Sequence, residues 1–200
     1  MREQAECSDG DLLRRMQAGD EEAFTAIYRR HQGGIYRFAF HMTGSPEIAE
    51  EVTQEVFMTL IRHHEQFDPL KGSLQAFLFG IGRNHVLRYF ERERDYVSLD
   101  SNDFDGSYVS SDNLEAVAAD PLSELTREEA ATQVWDAVMS LPAIYREVVV
   151  LCELQEMSYA EAAQLLACAV GTVRSRLHRA RGLLLSKLKT LRQVSSGLNS

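Results

Sequence analysis

Apolar residues recur along this chain at spacings of three and four, the period of a helix, and nowhere alternate in twos between hairpin turns. The pattern predicts an all-α fold. Leu12, Leu13, Met16, Phe24, Ile27 and Tyr28 suit a first helix or helix pair, with Gly19 and Asp20 as a break. A second helix includes Ile35 to Met42, and Thr-Gly-Ser-Pro then ends it. Ser45 and Pro46 read as the N-cap and first residue of a helix over 46–66. Its apolar stripe is Ile48, Val52, Val56, Thr59, Leu60 and His63. A fourth helix is expected from about Ser73 to Arg94, with Leu74, Phe77, Leu78 and Ile81 opening its buried face.

The pattern restarts after residue 125. Val134, Val138 and Leu141 mark one helix, stopped before Pro142, and Ile144, Val148, Leu151 and Cys152 mark the next. Ser158-Tyr-Ala-Glu161 has the form of a capping box and opens a short helix to about Leu166. Ala167, Cys168 and Ala169 make a tight break. A last helix from 170 to about 191 buries Val173, Leu177, Ala180, Leu184, Leu188 and Leu191. Between the two blocks, residues 96–125 include Ser-Asn-Asp-Phe-Asp-Gly-Ser and favour turns over regular structure. They read as a flexible linker. The expected architecture is two small helical domains, 9–95 and 126–192, joined by that linker.

The 200 residues are 44% hydrophobic, which excludes disorder throughout. No apolar run is long enough to span a membrane and the N-terminus is no signal peptide, so a cytoplasmic protein is expected. Cys7, Cys152 and Cys168 make a poor disulfide framework and suit a reducing compartment, with redox sensing by Cys7 the less economical reading. His63 and His64 are adjacent and point to different faces, so no metal site is expected. No cofactor is expected either.

The net charge of -9 looks wrong for a nucleic-acid binder, but its distribution matters more than its sum. Residues 96–126 carry Asp100, Asp103, Asp105, Asp112, Glu115, Asp120 and Glu124 and no Lys or Arg. Residues 162–200 carry Arg174, Arg176, Arg179, Arg181, Lys187, Lys189 and Arg192 and no acid.

Short helix, tight turn, long basic helix is the sequence form of a helix-turn-helix, which binds DNA by placing the start of its second helix in the major groove. At 100° per residue, Ser175 and Arg179 lie opposite the buried stripe, and Thr172, Arg176 and His178 on its shoulders. Arg174 and Arg181 flank the stripe and must extend past it. Arg bonds guanine bidentately, and Ser or Thr bonds bases or phosphates. A solvated basic face is the competing reading, and the cap, turn and acid-free helix occurring together argue against it. A second candidate surface is the segment 83–94, where Arg83, Arg88, Arg92 and Arg94 interleave with Tyr89 and Phe90 beside Asn84 and His85. Arginines hold phosphates, aromatics stack on exposed bases, and the Asn84 amide could read a flipped base. Alternatively Tyr89 and Phe90 are core, and the arginines pair with Glu91 and Glu93. On the 46–66 helix, Phe57, Met58 and Ile61 fall away from the Val52 stripe beside Glu50, Glu51, Gln54 and Glu55. An apolar patch ringed by acids fits a protein-binding face, unless it packs within its own domain.

The stretch 141–188, in particular Gly171-Thr-Val-Arg-Ser-Arg-Leu-His-Arg-Ala-Arg181 after Ser158-Tyr-Ala-Glu-Ala-Ala163, resembles region four of the extracytoplasmic-function sigma factors. Residues 49–69 and 72–94 resemble region two of the same family, in the family's order. The likeness runs from about 10 to 190. The chain has Glu51 where the family commonly has Asp, Phe77 where Trp is frequent, and Ala162 and Ala167 where Ile and Gly are usual.

The resemblance implies a protein that is not an enzyme: it binds core RNA polymerase and directs initiation at particular promoters. It implies polymerase contact by Glu51, Gln54, Glu55 and Met58. It puts Asn84 near a pocket for a minus-ten base and the helix from 170 in the minus-thirty-five groove. It sets the acidic linker in the polymerase cleft, and it implies an anti-sigma factor as a further partner, since members are commonly held inactive by one. Two weak DNA grips on one tether reinforce each other through effective concentration. A negative net charge keeps the free protein off non-specific DNA. The rival reading is a helix-turn-helix regulator that needs no polymerase. An enzyme built on His31, His41 or His85 is the other rival, and no nucleophile motif or phosphate loop supports it.

Overall fold

The computed structural model describes residues 7–98 and 127–197, with side chains over 7–92 and 131–189. Every described element is helical. The acidic segment falls on 99–126, outside the described residues.

Local rules set the helix ends. Ser8 caps α1 (Asp9–Gln17), accepting from the Asp11 amide. The chain turns at Gly19 and Asp20, whose carboxylate accepts from the Glu22 and Ala23 amides to start α2 (Glu21–Thr43). α2 is one unbroken helix where two were expected. Ile27, His31, Ile35, Phe38, Ala39 and Met42 form a single buried face through the Gly33-Gly34 pair, and that burial outweighs the two glycines' poor propensity. Gly44 ends it with φ 75°, in the left-handed region that glycine adopts freely. Ser45 and Pro46 then start α3 (Pro46–His63), followed by a 3₁₀ turn, His64–Gln66.

α4 (Leu74–Ser98) packs on α2 and α3, burying Leu74, Leu78, Phe79 and Val86. It continues past Arg94, so 96–98 are helix rather than linker. Phe38 and Phe79 meet edge to face at 5.5 Å in the middle of this bundle. Phe38 is fully buried, and truncating such a side chain costs ~3–5 kcal/mol. Three apolar expectations fail here. His63 is exposed, because α3 ends there. Tyr28 is over a third exposed. Phe57 is buried, its ring 4.7 Å from Tyr28 and 6.3 Å from Phe24, so the surplus face of α3 is narrower than its sequence suggests.

The C-terminal unit is α5 (Arg127–Met139), α6 (Ala143–Val149), a π turn (Val150–Leu154), α7 (Tyr159–Leu165) and α8 (Val170–Gly197). Val148, Leu151, Ala162, Val173, Leu177 and Ala180 are its buried centre. Val134 and Ile144, expected in the core, are about half exposed, because α5 and α6 turn Ala137, Val138, Val148 and Val149 inward instead. The two units are packed together, and one contiguous apolar core runs from Leu12 to Ala180 through both.

Candidate nucleic-acid interface

The capping box holds the helix-turn-helix open to solvent at its reading end. The Ser158 hydroxyl accepts from the Glu161 amide, and the Glu161 carboxylate accepts from the Ser158 amide at 3.2 Å. Hydrogen bonds from Ser158 and then Ser73 hold the Glu161 carboxyl below the usual carboxylate range. The turn closes with the Cys168 amide on the Ala163 carbonyl at 3.0 Å. Ala167 takes φ 49°, the conformation for which the resemblance led one to expect glycine. With Ala162 and Ala163 buried under Val173 and Leu177, α7 and α8 approach closely.

On α8, Arg174, Ser175, His178 and Arg179 are exposed, and Thr172 and Arg176 half-buried. The Ser175 hydroxyl donates to the Thr172 carbonyl at 3.0 Å, leaving its oxygen to accept. Arg181 differs. Its guanidinium donates to Glu153 of the π turn at 2.6 Å, which holds its pKa above the ordinary value. In this arrangement Arg181 braces α8 against the turn before α7.

On α4, Asn84 and Arg88 are exposed, whereas Tyr89 and Phe90 are half-buried with rings 5.6 Å apart and Phe90 packs on the core. Arg83 is not available with them: its Nε donates to Glu147 Oε1 at 2.7 Å, and Glu147 is buried on α6 of the other unit. The side chain of Arg94 lies outside the described residues. On α3, Glu51 and Gln54 are exposed and Glu55 and Met58 half-buried. Together with half-exposed Ile61 they make one stripe at helical spacing.

Sequence reasoning missed the contact between the units. Trp135 stacks on Phe40 at 4.5 Å and meets His41 edge-on at 4.9 Å. Arg146 donates to the Met42 carbonyl at 2.9 Å, and to Met139 and Leu141 of its own unit. Burial pulls the Arg146 guanidinium below its ordinary pKa. The Ser73 hydroxyl donates to Glu161 at 2.9 Å. The signal was present in Arg146-Glu147 set inside an apolar run, since buried charges are rare unless paired. The cysteines are free: Cys7 is exposed, and burial pushes the half-buried Cys152 thiol up to about 11. His31 is buried against Asp9 at 2.9 Å. Among the described residues no group of side chains could hold a metal, and no helix is long and apolar enough to cross a membrane.

Residues 27–96 match the family described as Sigma-70 region 2, and residues 131–184 match Sigma-70, region 4. The chain is 32% identical over 168 residues to the ECF RNA polymerase sigma factor SigE of Mycolicibacterium smegmatis; the match covers 82% of this chain and 62% of that protein. It is 27% identical to the ECF RNA polymerase sigma factor SigW of Bacillus subtilis, covering 90% of this chain and 96% of that one. Among solved structures it is similar to CnrH in complex with the cytosolic domain of CnrY, with TM-score 0.64, 25% identity and 90% and 96% of the two chains covered. It is also similar to the sigma factor RpoE in complex with the anti-sigma factor NepR from Bartonella quintana, with TM-score 0.59, 26% identity and coverage of 79% and 91%.

Proposed function

This chain belongs to the extracytoplasmic-function sigma factors, a non-enzymatic family of transcription initiation factors, and from that premise we propose that it binds core RNA polymerase and directs initiation at its own set of promoters. The observation that carries the reading is the pairing, in one chain, of an acid-flanked stripe on α3 with an exposed, acid-free face at the start of α8. Glu51, Gln54, Glu55 and Met58 grip the polymerase. Thr172, Arg174, Ser175, Arg176, His178 and Arg179 meet the minus-thirty-five groove, with Arg and Ser supplying base-edge and phosphate bonds. Arg181 joins them only if it leaves Glu153. Asn84 and Arg88 meet the minus-ten strand, the amide on a base edge and the guanidinium on phosphate.

The bonds made and broken are all non-covalent. The place of action is the cytoplasm, where polymerase and chromosome are. An anti-sigma factor is a partner of one structural relative, as its description states, and we extend that class of partner to this chain.

Run-off transcription with core polymerase over genomic fragments tests the reading. The chain is expected to yield discrete transcripts, and Met58→Arg to weaken polymerase retention about tenfold or more, as loss of a central apolar anchor does. DNA binding that is equally tight without polymerase, and no transcript with it, would make the chain an ordinary helix-turn-helix regulator.

A further inference from the structure

We propose that the free chain is held in a docked, initiation-incompetent form by a polar latch across the seam between its two units, with the Arg83–Glu147 ion pair at its centre. The inference rests on the functional reading above. The seam is built as a specific contact. Glu147 is 7% exposed, and its carboxylate takes the Arg83 Nε proton at 2.7 Å. Arg146, beside it, donates to the Met42 carbonyl near the end of α2, and Ser73 donates to Glu161 at the far edge. Trp135 closes the remaining side against Phe40.

Size makes this form incompatible with a promoter. Elements at minus ten and minus thirty-five are about 25 base pairs apart, ~85 Å of duplex at 3.4 Å per pair. A compact body of about 170 residues has a radius of gyration of ~15 Å and is only ~40 Å across. The α4 and α8 surfaces therefore cannot reach both elements while the units stay docked. The 28 residues between Ser98 and Arg127 have a contour of at most ~95 Å, enough for the separated units to do so.

The seam is also made to let go. Its polar bonds can be exchanged for water, unlike a wholly apolar contact. Arg146 Nε and Gln155 Nε2 are buried there without an acceptor, a cost recovered when water reaches them. Gln155 Oε1 lies only 3.3 Å from where a side chain on Gly34 of the other unit would begin. Parting the seam has a second effect. Arg83 adjoins Asn84, so release from Glu147 delivers a guanidinium to the strand-reading face of α4 at the moment it is needed.

A reversible lock tests this in the full chain. Gly72 and Gln164 face each other across the seam 3.9 Å apart, measured from a side chain begun on Gly72, and neither belongs to a binding surface above. Gly72→Cys and Gln164→Cys, in a chain with Cys7→Ser, Cys152→Ser and Cys168→Ser, are joined by a short bis-maleimide containing a reducible disulfide. Run-off transcription with core polymerase is expected to fall about tenfold or more on locking and to return on reduction. Equal transcription from locked and unlocked chains overturns the latch. Failure of the unlocked chain to direct initiation sinks the functional reading itself, a separate outcome. Small-angle scattering of the free protein gives a second readout: a radius of gyration of about 16 Å for the wild type, rising in Glu147→Gln as the open form gains population. A wild type already expanded, or a Glu147→Gln chain as compact as wild type with an unchanged helical spectrum, overturns the proposal as well.

Discussion

His31 is an ionisable side chain in the middle of a buried helix face, 9% exposed. Burial lowers its pKa from the ordinary 6.5, with Asp9 pulling the other way, and burial lowers that of His41 too. The fold therefore prefers the neutral rings. Between the lowered folded value and 6.5 the unfolded chain binds more protons than the native one, so stability rises with pH across that window. Stability is expected to be full above pH 6.5 and to fall as pH drops through it. The urea midpoint measured from pH 8 to pH 5.5 should decline, and His31→Gln should flatten the decline. A wild-type midpoint that does not move below pH 6.5 would contradict the assignment.

At the level of the element, the turn between α7 and α8 carries a cost that the sequence announces. Ala167 sits at φ 49°, where an L side chain crowds its own carbonyl. Glycine is the ordinary solution there, so Ala167→Gly is expected to raise stability by about 1 kcal/mol, against the usual sign of an alanine-to-glycine change. Urea denaturation of the pair decides it, and a destabilised variant would show that the turn is not strained. The same helix-turn-helix was the most legible part of the chain, because a capping box and an acid-free helix are local signals. α2 was less legible: its unity depends on α3 and α4 covering one face across Gly33-Gly34, which no local window contains. Phe57 misled for the same reason, since the partners that bury it, Phe24 and Tyr28, lie thirty residues upstream. Of the proposed contact residues, the exposed positions on α3 and α8 followed from helical spacing alone. The commitments of Arg83 and Arg181 did not, because their partners Glu147 and Glu153 come from other elements.

For the whole molecule, the continuous core predicts that the two units unfold as one. Trp135 is the chain's only tryptophan and stands on the seam against Phe40. Its fluorescence and the helical signal at 222 nm should give the same urea midpoint, as two-state behaviour requires. An earlier fluorescence transition would mean that the units separate before either melts. Marginal coupling of this kind suits a protein whose halves must hold together when idle and stand apart when working.

The π turn at Val150–Leu154 winds one residue more than an α-helix would. Deleting a residue there would tighten the turn to ordinary pitch and swing whatever lies beside the cut by about 100°. Glu153 is on that stretch, and Arg181 is tied to it. Spacing, independent of any change in charge or shape, is thus a dial on how many arginines this protein can offer to a promoter.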